Sequence, residues 1–373
     1  MNENARFSRR KIIQSGAAGL GLLAAGGAAG LLASGCKRKA ARGEPGKPPL
    51  ASRFTYDVSA FEHTNPALLL YEEAASIPTG FAEPKCLAVD SHDLLYVGGD
   101  QAVQVFGPNG KPFPTTYELP GKPWALAPED NGLLWVALQD HVEAYRVTGE
   151  RVAAGESLGG KACLTGIALA GGVVFAADAG NREIVRCDLQ GRVLGRFGRL
   201  HSGDGNPGFL VPSPYFHVLY GADGLLWVNN PGRHRIEAYT LDGKFELGWG
   251  QPSMQVEGFC GCCNPVFFTR LPDGRFVTSE KGLTRIKVYD AKGVFAGVVD
   301  GPEQLVKDLA LARKACGNCQ IGFGFDVACD SKSRVLALDP ATRAVRVFTP
   351  KAPPPNPGKG ANTNSPPPAV QTT

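Results

Sequence analysis

Val174-Phe175-Ala176-Ala177-Asp178-Ala179-Gly180-Asn181-Arg182-Glu183-Ile184 decides how the whole chain is read. An apolar run too short for a helix ends on an acid, a Gly-Asn break follows, and a second apolar run begins, which is the pattern of two strands joined by a tight polar turn. Outward from this stretch the same unit recurs between residues 54 and 349. Its first strands begin at Leu94, Leu133, Val173, Leu225, Arg275 and Arg334. Its second strands are Ala102-Phe106, His141-Tyr145, Glu183-Cys187, Arg235-Tyr239, Arg285-Tyr289 and Ala344-Phe348. Successive first strands lie 39 to 59 residues apart, so constant strand pairs alternate with variable insertions, the mark of a repeat architecture.

Turn chemistry extends each unit. Ala222-Asp223-Gly224, Pro272-Asp273-Gly274, Leu241-Asp242-Gly243 and Pro108-Asn109-Gly110 put a short polar residue before glycine, as tight hairpins require. The fourth unit then reads as four antiparallel strands near Phe216-Tyr220, Leu225-Val228, Ile236-Tyr239 and Lys244-Trp249. Composition agrees, because 48 glycines and 29 prolines make about a fifth of the 373 residues, which excludes long helical bundles and coiled coils. The expected fold is all-β, a six-bladed β-propeller of four-stranded antiparallel blades with one short inserted helix. The sixth unit stops at Phe348 while a strand-like run, Leu68 to Ile77, precedes the first. Velcro closure by that N-terminal strand is therefore expected, leaving no open edge.

The run from Val174 to Ile184 resembles the NHL repeat of bacterial and animal β-propellers, and the resemblance covers nearly all of residues 67 to 349. It departs at Gly98-Gly99-Asp100 and Ser279-Glu280-Lys281, where the family's Asp and Asn usually stand, which weakens the expected register of the first and fifth units.

The net charge of +4 is carried by the tails. Residues 1 to 53 hold ten Lys/Arg against two acids, whereas residues 54 to 349 hold 27 bases against 33 acids. A folded body of that sign has no footprint for nucleic acid. Ser8-Arg9-Arg10-Lys11-Ile12-Ile13 resembles a twin-arginine export signal, and 24 uncharged residues follow from Ile12 to Gly35. The stretch ends Leu31-Leu32-Ala33-Ser34-Gly35-Cys36, which resembles a lipobox, making Cys36 the expected lipidation site. The alternatives are an uncleaved membrane anchor and ordinary cleavage near Gly35. Residues 1–36 are thus the expected signal segment, 37–53 a basic Pro/Gly tether, 54–349 the propeller, and 350–373 a Pro-rich tail unable to bury a core.

In such blades the tight glycine hairpins share one face, and the connections between blades run over the other. Those connections are long at Arg199–Pro214, Gln251–Pro265 and Asp300–Gly322, and long loops on a rigid scaffold are where function concentrates. Seven cysteines are expected in connections: Cys86, Cys163, Cys260, Cys262, Cys263, Cys316 and Cys319. Cys187 and Cys329 read as small buried apolar residues in strands. A helix from Glu303 to Cys316, begun by Gly301-Pro302, is expected to aim Cys316 inward.

Cys260-Gly261-Cys262-Cys263 and Cys316-Gly317-Asn318-Cys319 are then one candidate cluster with two chemistries open. One is disulfides stapling long loops in an exported protein, with no cofactor. The other is zinc or an iron-sulfur cluster, for which the paired thiolates have suitable spacing. Cys-Gly-Asn-Cys lacks the His of a c-type haem site. His217, Cys86 and Asp326 are possible channel ligands at similar height, with Asn230 near them. Arg182, Arg235, Arg285 and Arg343 recur at one repeat position and read as structural. Trp124, Trp135, Trp227 and Trp249 read as packing between blades.

No nucleophile elbow, phosphate loop or metalloprotease helix is present. Propeller enzymes of this kind converge several His or carboxylates on the channel with a metal, whereas only His217, Asp326 and Asn230 are placed near it here. The expected function is therefore that of a non-enzymatic, envelope-anchored monomeric propeller whose cysteine-bearing face recognises a protein, glycan or redox partner. A metal-dependent lyase or hydrolase, and an iron-sulfur or metal electron-transfer protein, are the alternatives.

Overall fold

Alternation sends neighbouring side chains of a strand to opposite faces. Here both faces of most strands are apolar, so every sheet needs another sheet on each side. The computed structural model describes residues 58–201, 203, 206–308 and 323–352, and meets that need with a six-bladed β-propeller. Among the described residues the strands form six four-stranded antiparallel sheets. Blade 1 is Pro84–Val89, Leu95–Gly99, Ala102–Phe106 and Pro112–Glu118. Blade 2 is Ala125–Pro128, Leu133–Ala137, Val142–Arg146 and Arg151–Ala154; blade 3 is Leu164–Ala170, Val173–Asp178, Glu183–Cys187 and Val193–Phe197. Blade 4 is Val218–Tyr220, Leu226–Asn230, Arg235–Tyr239 and Phe245–Trp249; blade 5 is Phe267–Arg270, Phe276–Glu280, Arg285–Tyr289 and Phe295–Asp300. Blade 6 takes Asp326–Cys329, Val335–Asp339 and Ala344–Pro350 from one end of the propeller and Tyr71–Pro78 from the other. The signal segment with Cys36, the tether and residues 353–373 lie outside the described residues. So do Cys316 and Cys319.

The core is divided among the blade junctions. Val174 and Ala176 enter the cluster between blades 2 and 3, while their neighbours Phe175 and Ala177 enter the one between blades 3 and 4. Junction 4/5 is the most aromatic, with Trp227, Trp249, Phe259, Phe276 and Tyr289 in mutual contact and Trp249 4.8 Å from Tyr289 by ring centroids. Trp135 fills junction 2/3, and half-buried Trp124 lies 5.6 Å below the Lys85 ammonium at junction 1/2. All four tryptophans thus pack between blades, as expected. Hairpin glycines allow the close approach: a Cβ on Gly293, at φ +83°, would lie 2.3 Å from the Trp249 ring of the preceding blade.

Polar side chains pin each blade to the next around the ring. Thr165 of blade 3 accepts from Phe216 N–H and donates to Phe216 C=O, Asn229 of blade 4 donates to Pro265 and Val266 carbonyls, and Ser279 of blade 5 accepts from Phe325 N–H. Asp326 of blade 6 accepts from Leu87 N–H of blade 1 at 2.9 Å, the Ser91 hydroxyl of blade 1 donates to Asp130 of blade 2, and Gln139 of blade 2 donates to Ala162 C=O ahead of blade 3, which completes the circuit.

Closure is by Tyr71–Pro78, paired antiparallel to Ala344–Pro350 from Tyr71↔Pro350 to Pro78↔Ala344. Arg346, 5 % exposed, locks it. Its guanidinium forks onto Glu73 of the closing strand at 3.1 and 2.6 Å, and it also donates to the carbonyls of Gln304 and Leu305 and to Asp300.

Three expectations are corrected. Cys86 lies within the inner strand of blade 1, not in a connection, because that strand begins at Pro84. The helix expected to run unbroken over Glu303–Cys316 is interrupted: the described residues show one turn, Pro302–Leu305, ended where Val306 leaves helical geometry at φ −119°, ψ 70°, and residues 309–316 lie outside the described residues. The four arginines occupy two positions rather than one: Arg182 and Arg343 are left-handed turn residues at φ 60° and 58°, whereas Arg235 and Arg285 open third strands.

Arg346→Ala removes both the fork to Glu73 and the partner of Asp300, and should destabilise the propeller by about 3 kcal/mol. Deleting residues 67–77 exposes the edge of Ala344–Pro350 and should cause aggregation. Denaturant melts and light scattering check both; a soluble, fully folded deletion would contradict closure by this strand.

Candidate functional site

Arg285, Lys287 and Tyr289 alternate along the third strand of blade 5 and therefore share one face. That face is covered by the connection between blades 4 and 5, which folds back on itself where Phe259 N–H donates to Gln251 C=O and Ser253 N–H donates to Phe259 C=O. The returning segment points its carbonyls inward. Arg285 donates to Met254 C=O, Lys287 to Val256 and Gly258 carbonyls, and the Tyr289 hydroxyl to Glu257 C=O. Lys287 has no solvent exposure. Its ammonium lies 3.0 Å from Glu280 Oε2, which also takes the Arg285 Nε–H at 2.7 Å, and 4.6 Å from the centre of the Phe259 ring. Burial brings the Lys287 ammonium down to about 8, against the pull of Glu280.

The second Glu280 oxygen accepts from Cys260 N–H at 2.8 Å and so starts the cysteine turn. Asn264 finishes it: its amide donates to the carbonyls of Cys260 and Lys281, and its oxygen accepts from Lys281 N–H. Cys260 is buried, with its thiol pushed up to about 11 by burial and by Glu280. Cys262 is exposed and Cys263 buried, their sulfurs 3.3 Å apart. The Lys281 ammonium sits 4.9 Å over the Tyr215 ring and 3.0 Å from the Ser213 hydroxyl. Burial alone would raise the Cys263 thiol, but hydrogen bonds from Ser213, Cys262 and Lys281, with the Lys281 charge, outweigh it and hold Cys263 below the ordinary thiol range. The exposed Cys262 thiol is raised, chiefly by its hydrogen bond with Cys263. From the neighbouring blade, His234 Nε2 lies 2.9 Å from Gly261 C=O.

This turn shares the loop-rich face with the other polar ends of second strands. Asp178 accepts from Cys163 N–H, Asn230 from Leu210 N–H, and Asp100, one residue beyond its strand, from Ala82 and Glu83 N–H. Asp100 and Glu280 therefore do for blades 1 and 5 what Asp178 does for blade 3, and their departure from the repeat pattern leaves the register intact. Asn230 belongs to this set and not to the channel where it was expected.

The channel is a cavity of about 590 Å³ lined by inner strands of all six blades, with Glu129, Asp130 and Asn131 at its hairpin end. His217 is on its wall, with Nδ1 unpartnered, its ring against Phe267 and Phe268, and its pKa lowered to about 4 by burial. Cys329, expected to be a buried apolar residue, lines the cavity half-buried and donates to Arg270 C=O. Cys86 and Asp326 do not line it: alternation turns Cys86 into the core between blades 1 and 2, and Asp326 is spent on Leu87 and Val327 N–H. The expected grouping of His217 with these two is therefore not formed. Burial raises the Asp326 carboxyl to about 7. Among the described residues no disulfide joins any cysteine, and no three His, Cys, Asp or Glu side chains are arranged to hold a metal ion. Cys187 is buried in the junction 2/3 core, as expected.

Neither a family model nor a curated protein matches the chain. Solved structures do. A catalytically inactive virginiamycin B lyase from Staphylococcus aureus with quinupristin is 14 % identical, with a TM-score of 0.50 over 73 % of this chain and 82 % of that one. A streptogramin B lyase is 12 % identical, with a TM-score of 0.50 over 74 % of this chain and 97 % of that one. A protein of unknown function from Bacteroides thetaiotaomicron is 14 % identical, with a TM-score of 0.50 over 75 % and 72 %. At these identities the likeness is one of fold.

Asp326 gives a pH-dependent prediction. A carboxyl whose folded pKa is about 7, above its unfolded value near 3.8, keeps its proton only in the native state, so its contribution to stability falls as pH rises toward 7. Asp326→Asn loses one acceptor at every pH, about 1 kcal/mol. The stability of wild type relative to the variant should nevertheless fall by on the order of 3 kcal/mol from pH 5 to pH 8, more than the lost acceptor is worth, so the variant becomes the more stable at pH 8. Parallel stability curves would contradict a raised carboxyl.

Proposed function

We propose that this chain is an exported, envelope-anchored binding propeller whose loop-rich face, centred on Cys262, Cys263, Lys281 and Tyr215, receives a protein partner. The propeller fold supports a general binding role. The observation that carries the finer reading is the buried Glu280–Arg285–Lys287 cluster. Burying three charges is costly unless each is met by partners. Here Arg285 Nη1 and the Lys287 ammonium hold the backbone of one long connection, and that connection presents the exposed Cys262 thiol with the buried Cys263 and Lys281 behind it. Export and Cys36 lipidation rest on the Arg9-Arg10 and lipobox resemblances, and a monomer is the natural state of a closed ring.

A lyase or hydrolase working in the channel is the second reading. It is favoured by His217, an imidazole on the wall of a large cavity with Nδ1 unpartnered. Two of the similar structures are lyases, at identities that carry the fold alone. An iron-sulfur or zinc site would draw on Cys260, Cys262 and Cys263 together with Cys316 and Cys319.

A photocrosslinking side chain at His234, on the loop-rich face, should yield a discrete adduct in the envelope fraction, whereas one at Asp242, on the hairpin face, should not. Adducts from Asp242 and none from His234 would overturn the assigned face. Loss of a small-molecule lyase activity in His217→Ala would favour the channel reading instead.

A further inference from the structure

Two adjacent cysteines, one exposed and one buried, with sulfurs 3.3 Å apart and a lysine beside the buried one, are an arrangement that a plain loop does not need. We propose that Cys262 and Cys263 are a reversible dithiol–disulfide couple that exchanges with the disulfide of an incoming molecule. This deepens the proposed function by naming the chemistry of the partner, and it rests on the loop-rich face being the working face.

The geometry assigns the two sulfurs different parts. Cys262 is reachable from solvent while Cys263 is buried behind it, so Cys262 meets the incoming disulfide. Cys263 is held by Ser213 and Lys281 behind it, so Cys263 resolves. In the first step the Cys262 proton passes to the Cys263 thiolate as the Cys262 sulfur bonds to one sulfur of R–S–S–R′, the S–S bond breaks, and R′–S⁻ departs, taking that proton from Cys263 as R′–SH. In the second, the Cys263 thiolate bonds to the Cys262 sulfur and expels R–S⁻. The two thiols lose two electrons and the incoming disulfide gains them; Lys281 remains charged throughout. The reverse sequence regenerates the dithiol.

The bridge so formed is strained. Adjacent Cα atoms are about 3.8 Å apart across a trans peptide, below the roughly 4.4–6.8 Å that an unstrained disulfide spans. Strained, exposed bridges are the easily reduced ones, so this pair suits turnover rather than stapling. Cys260, buried with its thiol raised, stays outside the exchange and provides an internal control.

The test uses the full chain, reduced, desalted, and treated with oxidised glutathione or with a peptide carrying an exposed disulfide, followed by peptide mass mapping. The expected product with either probe is a peptide carrying Cys262 and Cys263 that is lighter by two hydrogens and is restored by reduced glutathione, with Cys260 unmodified. Cys263→Ser should stop at a mixed disulfide on Cys262. Lys281→Met should slow ring closure by about 10-fold at pH 7 while leaving the melting temperature near that of wild type. A bridge from either residue to Cys260, Cys316 or Cys319, or a wild-type chain that stops at the mixed disulfide, overturns the couple. If the couple forms while the His234 crosslinker captures nothing, the exchange chemistry stands and the binding-face reading falls; if a partner is captured and no couple forms, the reverse holds.

Discussion

Lys287 sits without solvent inside blade 5, and the working arrangement of the loop-rich face follows from how its charge is met. An isolated ammonium at that depth would be driven neutral. Glu280 meets it from one side and the carbonyls of the connection from the other. The same carboxylate holds Arg285 and the Cys260 N–H. One buried oxygen pair thus ties a strand, a returning loop and the first residue of the cysteine turn together. Most of the hydrogen-bonding capacity of three charged groups is used to fix a backbone, which is why a connection of this length is held in one conformation rather than many.

The propeller supplies the frame in which that cluster works. Alternation assigns each strand's side chains to two junctions, polar residues pin each blade to the next, and the closing strand removes the one edge that would remain. Arg346 and Glu237 occupy the equivalent third-strand position of blades 6 and 4 and act alike. Arg346 clamps the closing strand and the turn Pro302–Leu305, and Glu237 accepts from Asn230 and Tyr239 beneath the connection that precedes blade 4. Charge at this one strand position marks the places where irregular chain is fastened.

The fold was legible because its signals are local. The strand pairs, the Asp-Gly and Asn-Gly hairpins and the missing strand of the sixth unit are all read from spacing, and the structure moves their ends by a residue or two. The site was legible only in outline. Cys260, Cys262 and Cys263 stood out, and so did the face that carries them, but Lys281, Ser213 and Tyr215 come from other turns and connections, brought together only by the ring. Lys287 could have been found: a lysine midway along a strand, where the equivalent residues of blades 2 and 3 are Ala144 and Val185, has to be met by something buried. The channel grouping of Cys86, His217 and Asp326 failed because alternation and the needs of blade closure, which a linear pattern does not display, claim the first and the last.

The most direct measurement is amide hydrogen exchange of wild type and Lys287→Met, compared across the chain. Removing the ammonium frees the carbonyls of Val256 and Gly258, so exchange should quicken through residues 251–264 while the blade strands stay protected. Protection of 251–264 equal to wild type would show that the connection is held by something other than the buried charges, and the account of how the thiols are presented would be wrong.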